Sequence, residues 1–358
     1  MSIATCQVKR VTPHSHDVVG TLHRGCVDHG IDPLARRLAD LRAFLASDLD
    51  EVDRAIAAVG AGGRTRAEAS VRHLLAQDGK RIRPICVALA AHVGRGFTDA
   101  ARTYAVAVEL VHNATLLHDD VVDMGVRRRG AEAARMIYGN AASIFGGDWL
   151  LVEALRDIQR VGNPDVLARM LDVVHEMIVA ESMQLERRGK LDTTVKEYFQ
   201  IIDGKTASLF RWAMFAGAVA GGVGDRACDA LVDYGRKIGT AFQVVDDVLD
   251  VAGDAETTGK TLLADLAEGK MTYPMLRALE RRSELGPMLA NACAGDDVAP
   301  ELGARIAAVL RTSGVVEDSL EFARQLCHEA ISALEAVPDG IGKTALVAVA
   351  RATPERRR

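Results

Sequence analysis

Apolar residues recur at spacings of three and four along most of the chain. The period becomes clear at Asp32-Pro33, where Leu34, Leu38, Leu41 and Leu45 fall on one face of a helix. Amphipathic segments follow at about 65–77, 82–94, 98–124, 141–161, 164–188, 195–222, 226–252, 272–292 and 299–336. Gly94-Arg95-Gly96, Gly162-Asn163-Pro164, Gly221-Gly222 and Gly295-Asp296 punctuate them, as helix stops and turns require. No short tandem repeat and no composition break marks a linker. The pattern predicts an all-α protein with one helical domain over 31–352. Residues 1–30 lack the period and are expected to form a disordered tail, and 353–358, ending Arg356-Arg357-Arg358, a short basic one.

Composition sharpens this picture in three ways. Aromatics are only 4% of the 358 residues while Ala and Leu abound, which favours helices over sheets. The net charge of −5 gives no reason to expect nucleic acid as a partner. The six cysteines include no Cys-x-x-Cys and read as reduced thiols, and no apolar run is long enough to span a bilayer, so a soluble cytoplasmic protein is expected. Cys6, His14, His16, His23, Cys26 and His29 crowd the N-terminal 30 residues, but their spacing matches no standard zinc finger.

Chemistry enters with one five-residue pattern that occurs twice: Asp119-Asp120-Val121-Val122-Asp123 and Asp246-Asp247-Val248-Leu249-Asp250. On a helix the first and last carboxylates of each share a face, and the middle one stands about 100° away. So much negative charge at the end of an apolar helix is costly unless a cation neutralises it. Hard oxygen ligands in pairs suit Mg²⁺, which takes one or two carboxylates and leaves other positions to water and phosphate. Asp296-Asp297 differs: no apolar run leads into it, and it reads as a solvated loop.

Basic motifs complement the carboxylates. Gly79-Lys80-Arg81-Ile82-Arg83-Pro84 gathers three cations at the join of two predicted helices, either as an anion site or as a solvated turn. Arg127-Arg128-Arg129-Gly130 follows the first aspartates and could pair with them or share an anion bridging metal and guanidinium. Gly204-Lys205-Thr206 interrupts an apolar run, where Gly and Lys both cost stability. Gly259-Lys260 and Gly269-Lys270 add cations after the second cluster.

In this order, from the Gly79–Pro84 turn through His112–Asp123, Arg128-Arg129, Lys205-Thr206, Phe242–Asp250 and Lys270, the motifs resemble those of the trans-prenyltransferases (E-isoprenyl diphosphate synthases) over about residues 34–350. The resemblance implies an all-α barrel of antiparallel helices around a deep cavity (the type I isoprenoid synthase fold), commonly a homodimer. It implies condensation of an allylic diphosphate with isopentenyl diphosphate, with release of pyrophosphate. It further implies Mg²⁺, roughly three ions per site with Mn²⁺ as a substitute. Asp119, Asp120, Asp123 and Asp246 would be metal ligands, with Asp247 and Asp250 acting directly or through water. Arg128, Lys205 and Lys260 would grip the allylic diphosphate, and Lys80, Arg83, His112 and Arg129 the isopentenyl diphosphate. Thr206 and Gln243 would line the reacting allylic carbon.

The chain departs from the family where Met124, Val126 and Arg127 stand in place of frequent acidic residues, which lowers the negative charge of that loop. Ala114 and Thr115 lie about one turn before the first aspartates and offer no bulky plug, so a long-chain polyprenyl product is expected. Phe145, Trp149 and Leu150 are candidates for a deeper floor, and closure there would give farnesyl or geranylgeranyl diphosphate instead. A non-catalytic partner subunit would be expected to have lost one aspartate cluster. A class I terpene cyclase would carry a single aspartate-rich motif.

Overall fold

The computed structural model describes residues 17–60, 64–77, 79–252, 263–293 and 298–356. Their regular structure is helical, apart from one hairpin of two two-residue strands. α1 (Val18–Asp28) packs on α2 (Asp32–Ala58), and α3 (Arg66–Leu75), α4 (Ile82–Ala91) and α5 (Asp99–Val122) follow. The hairpin pairs Arg127 with Glu132 and Arg128 with Ala131, and leads through α6 (Ala134–Tyr138) to α7 (Asn140–Val161) and α8 (Pro164–Arg187). α9 (Val195–Ile202) passes through a π-helical turn, Asp203–Ala207, into α10 (Ser208–Gly221), and α11 (Asp225–Ala252) ends the central set. The remainder is α12 (Ala264–Ala267), α13 (Tyr273–Leu279), α14 (Leu285–Cys293), α15 (Pro300–Thr312), α16 (Val315–Ala333) and α17 (Ile341–Ala352).

Local chemistry sets the helix starts. Thr65 with Glu68, and Thr194 with Glu197, form reciprocal capping boxes, while Thr98 accepts from Ala101 N–H. Asn163 caps α8 with Pro164 in its first turn. The core lies between α4, α5, α10 and α11. Trp212 of α10 meets Tyr104 of α5 edge-on at 5.9 Å, both fully buried. α10 is buried nearly all round, and Gly217 lets it lie directly on α4: a Cβ there would sit 2.3 Å from the Val87 carbonyl oxygen. A second apolar cluster joins α12–α15 to Tyr198, Ile202 and Val251.

Three sequence expectations need correction. Residues 18–28 are not a disordered tail but α1, opened by Asp17, whose carboxylate accepts from Gly20 N–H at 2.6 Å. Val18, Leu22 and Cys26, four apart, are its buried face, so Cys26 is a core thiol pushed up to about 11 by burial rather than a metal ligand. Cys6, His14 and His16 lie outside the described residues. At the other end Thr353–Glu355 is a 3₁₀ turn, and Arg356 is buried, not a solvated basic tail. The single segments expected at 272–292 and 299–336 are each two helices, the latter broken at Gly314, which adopts φ +78°. No helix among the described residues is long and apolar enough to cross a membrane.

Candidate active site

The first aspartate cluster closes α5. Asp119 and Asp120 occupy its last turn, and Asp123 is its C-cap. The hairpin folds back so that Arg128 Nη2 and Nε both donate to Asp120 Oδ1, at 2.6 and 2.8 Å. Asp120 Oδ2 is buried with no hydrogen-bond partner. Asp123 accepts from Lys270 Nζ at 2.7 Å and has Arg188 Nη1 at 3.8 Å. Asp119 has Lys205 Nζ at 3.8 Å, yet burial pushes its carboxyl up to about 6, with Glu181 and Asp123 adding to the rise and Lys205 opposing it.

The second cluster lies in the last turns of α11. Asp246 Oδ1 accepts from Arg356 Nη2 at 2.7 Å. Asp247 turns the other way, to accept from Tyr198 OH (2.7 Å), Gln243 Nε2 (2.9 Å) and Tyr273 N–H (3.1 Å). Burial, with Asp265 nearby, raises its carboxyl to about 7 against those three donors. Asp250 Oδ1 accepts from Ala264 N–H at 3.0 Å. The segment from Lys270, on Asp123, to Tyr273, on Asp247, holds the two clusters together. Lys205, 3.8 Å from Asp119, and the adjacent Thr206, linked through Gln243 to Asp247, likewise join the two clusters, which border one cleft.

Lys205 and Thr206 enter this cleft from the π-helical turn. Such a turn adds one residue to the helical register and is common at functional sites. Gly204 permits it to press on α8, since a Cβ would meet Ala180 Cβ at 2.7 Å and the Glu176 carbonyl oxygen at 2.8 Å. Lys205 Nζ donates to Glu181 Oε2 (2.5 Å) and Gln184 Oε1 (2.7 Å) of α8. Thr206 Oγ1 donates to Gln243 Oε1 at 2.9 Å, and Gln243 in turn donates to Asp247. The predicted Lys205, Thr206 and Gln243 are thus brought together, and Glu181 and Gln184 join them unforeseen.

Beside the carboxylates lies a basic recess. Arg81, in a left-handed conformation (φ 51°), donates to Asp53 and to the buried Glu109, both at 2.8 Å. Arg83 is half-buried, 5.4 Å from the Phe210 ring centroid, and its buried Nε has no hydrogen-bond partner. Arg129, also left-handed (φ 49°), leaves Nη1 buried and unpartnered. Burial and the surrounding Arg83, Arg129, Arg128 and Arg81 hold His112 well below the ordinary imidazole range. Burial lowers Arg83 and Arg129 as well. Buried guanidinium donors without partners, gathered round a neutral histidine, are suited to a polyanion. The carbonyl of Lys80 borders this recess and accepts from Val18 N–H at 2.7 Å.

Other expected residues fare differently. Lys260 lies outside the described residues. Ala114 is packed in the main core at 2% exposure, whereas Thr115 is half-buried beside it. Leu150 is fully buried and Trp149 half-buried, but Phe145 is 62% exposed. A partly open pocket of about 70 Å³ beside the second cluster is lined by Gln184, Tyr198, Asp247, Lys270 and Thr272. That volume suits a few water molecules, not a hydrocarbon tail.

Residues 64–302 match the family model described as polyprenyl synthetase. The chain belongs to the polyprenyl synthetase family. Its relatives include octaprenyl diphosphate synthase of Escherichia coli, 34% identical over 286 residues, which cover 80% of this chain and 88% of that one. A short chain isoprenyl diphosphate synthase of Methanothermobacter thermautotrophicus is 39% identical over 216 residues, 59% of this chain and 66% of that one. The solved polyprenyl synthase of Caulobacter crescentus, complexed with calcium and isoprenyl diphosphate, is 32% identical with a TM-score of 0.84, covering 97% of this chain and all of that one.

For a polyprenyl synthetase the donor set can be judged against a divalent cation. Asp120 Oδ2 and Glu181 Oε1 are buried acceptors with no partner, and every other ligand on offer is also a hard oxygen. Among the described residues no three acidic, histidine or cysteine side chains converge as a ready cage. Instead Asp119, Asp120, Asp123 and Asp246 each face a lysine or arginine. A cage is not required, because Mg²⁺ completes its shell with water and substrate phosphate. The residues fit the ion.

Proposed function

We propose that this chain is a Mg²⁺-dependent trans-prenyltransferase that condenses an allylic diphosphate with isopentenyl diphosphate, repeatedly, to a long-chain all-trans polyprenyl diphosphate. The observation that carries the reading is the adjoining of two unlike anion sites: aspartates with their lysines on one side, and unpartnered arginine donors around a neutral His112 on the other. Metal bound by Asp119, Asp120, Asp123 and Asp246 would offset the charge that develops on the departing pyrophosphate. Lys205 and Arg128 hold the allylic diphosphate, and Lys270 adds a cation where Asp123 ends. Lys80, Arg83, His112 and Arg129 hold the isopentenyl diphosphate with its double bond towards the allylic carbon. The allylic C–O bond breaks with its electron pair leaving on pyrophosphate. The isopentenyl double bond then forms the new C–C bond, and a proton is lost to pyrophosphate. Thr206 and Gln243, hydrogen-bonded to each other, line the path of the cation with their dipoles.

Asp247, with three protein donors, acts in this reading by orienting Gln243 rather than as a ligand. The long-chain product is supported by small residues at 114 and 115 and by relatives named for octaprenyl and heptaprenyl diphosphate. The relative named for short chains keeps farnesyl or geranylgeranyl diphosphate as the second reading. A homodimer is supported by an exposed apolar face shared by α7 and α8, formed by Ile144, Phe145 and Val152 with Leu171, Ile178 and Leu185. Incubating the pure protein with Mg²⁺, labelled isopentenyl diphosphate and a set of allylic primers, then chromatographing the products, tests reaction and chain length together. Products longer than twenty carbons support the reading. Absence of label in any allylic product rejects it.

A further inference from the structure

Arg356 is the third residue from the end of the chain, yet its side chain is fully buried. Its guanidinium lies 3.6 Å from the centroid of the Phe242 ring and donates to the Phe242 carbonyl at 3.4 Å and to Asp246 Oδ1 at 2.7 Å. All three contacts are to one turn of α11, the turn that begins the second aspartate cluster. The 3₁₀ turn that delivers Arg356 is itself fastened by α1. Gly25 of α1 lies so close that a Cβ would stand 2.2 Å from the Glu355 carbonyl oxygen, and His29 Nδ1 is 3.1 Å from Glu355 Oε2. The same helix, through Val18 N–H, holds the carbonyl of Lys80 at the edge of the basic recess.

We infer that Arg356 is a built-in stand-in for a divalent cation at Asp246, held there by α1 until metal and diphosphate arrive together. The physical reason is charge. Arg356 Nη2 places a full positive charge on Asp246 Oδ1, while the neighbouring Asp247 accepts from a hydroxyl, an amide and a backbone N–H. Asp246 stays 35% exposed, so an ion can reach its carboxylate while Arg356 is in place. A guanidinium and a divalent cation close to one carboxylate repel each other, so binding of one weakens the other. Metal loading of the empty enzyme is thereby suppressed. A diphosphate, bringing negative charge of its own, shifts the competition towards the metal. Arg356 would in this way make metal entry depend on substrate.

The inference rests on the reading of Asp246 as a metal ligand, and the test separates the two. Mn²⁺ is titrated into the substrate-free full-length enzyme, with the unbound ion read by its electron paramagnetic resonance signal. Arg356→Met keeps an apolar side chain against Phe242 and removes the charge, and Arg356→Lys keeps the charge. Arg356→Met is expected to bind Mn²⁺ roughly fivefold tighter or more, as loss of a partly exposed charge pair predicts, while Arg356→Lys stays near wild type. If Arg356→Met does not fold, Gly25→Ala, which displaces the turn at Glu355, is titrated in its place with the same expectation. Unaltered or weaker Mn²⁺ binding in the folded variant overturns the inference. Asp246→Asn serves as the control: if it binds Mn²⁺ as well as wild type, the metal reading of Asp246 itself has failed. If Asp246→Asn binds more weakly but Arg356→Met binds no tighter, only the stand-in role has failed.

Discussion

Lys270 donates to Asp123 at 2.7 Å across 147 positions of sequence. Burial alone would lower this lysine, but Glu268 and Asp123 outweigh it and hold it firmly protonated. The last carboxylate of the first aspartate cluster therefore already has its counter-charge from the loop behind the second. Asp120 is hydrogen-bonded to Arg128 at 2.6 Å, and Asp119 has Lys205 at 3.8 Å. Under the proposed function, a metal ion entering the cleft would have to share or displace these lysines and arginines, and the incoming diphosphate would take up the cations so released.

The carboxyls of Asp119 and Asp247, raised to about 6 and about 7, make the first prediction. Unfolded aspartate titrates near about 3.9. Between that value and 6 to 7 the folded state binds more protons than the unfolded one. These two groups therefore lower stability as pH rises through the window, and the penalty is complete above about 7. Melting temperatures of the metal-free protein from pH 4.5 to 7.5 should show this loss against Asp247→Asn, which lacks one of the two titrations. A variant whose pH profile superimposes on wild type would show that Asp247 is not raised.

The second prediction separates the substrates. Arg83 and Arg129 offer unpartnered donors in the basic recess, whereas Arg128 sits on Asp120. Lys80→Ala and Arg83→Ala should raise KM for isopentenyl diphosphate by roughly tenfold or more and leave the allylic KM nearly unchanged, as loss of one charge-assisted bond predicts. Arg128→Ala should do the reverse. Steady-state kinetics with both substrates varied is the check, and equal weakening of both would mean the two sites are misassigned.

Helix boundaries were legible because an amphipathic helix writes its period into local sequence, and Thr65, Thr98, Asn163 and Thr194 mark where helices begin. The aspartate clusters were legible for the same reason, since their members are neighbours in sequence. What sequence could not show were partners distant along the chain. Arg356 looks like a solvated end until α1 and α11 bury it, and Glu181 and Gln184 look like the wet face of α8 until Lys205 reaches them. The π turn leaves no local pattern beyond an awkward Gly204. α1 did carry a signal, Val18, Leu22 and Cys26 behind an Asp17 cap, but three positions are too few to stand out among polar residues.

Chain length supplies the third prediction. Ala114 is in the core, where a phenylalanine would overpack at a cost of about 1–3 kcal/mol, so the half-buried Thr115 is the better place for a wall. Thr115→Phe should shorten the main product to farnesyl or geranylgeranyl diphosphate while sparing the first condensation. Product chromatography decides, and an unchanged long product would show that the tail does not pass Thr115.

Phe145 and Ile178, 62% and 61% exposed, carry the fourth prediction. If a second copy covers the α7–α8 face, Phe145→Glu and Ile178→Glu should halve the mass seen by sedimentation equilibrium while the helical circular dichroism persists. A wild-type protein that sediments as a monomer would remove the dimer from the account.

The central claim is that metal held by both aspartate clusters drives loss of pyrophosphate from the allylic substrate. The most direct test is single-turnover release of pyrophosphate from an allylic diphosphate with isopentenyl diphosphate and Mg²⁺ present, comparing wild type with Asp119→Ala and Asp246→Ala. Removal of one fixed electrostatic group of this kind costs about 10²–10³ in rate. The account predicts at least that loss in both variants, and complete loss on chelation of Mg²⁺. Near-normal pyrophosphate release from either variant, or from wild type with Mg²⁺ chelated, would contradict it.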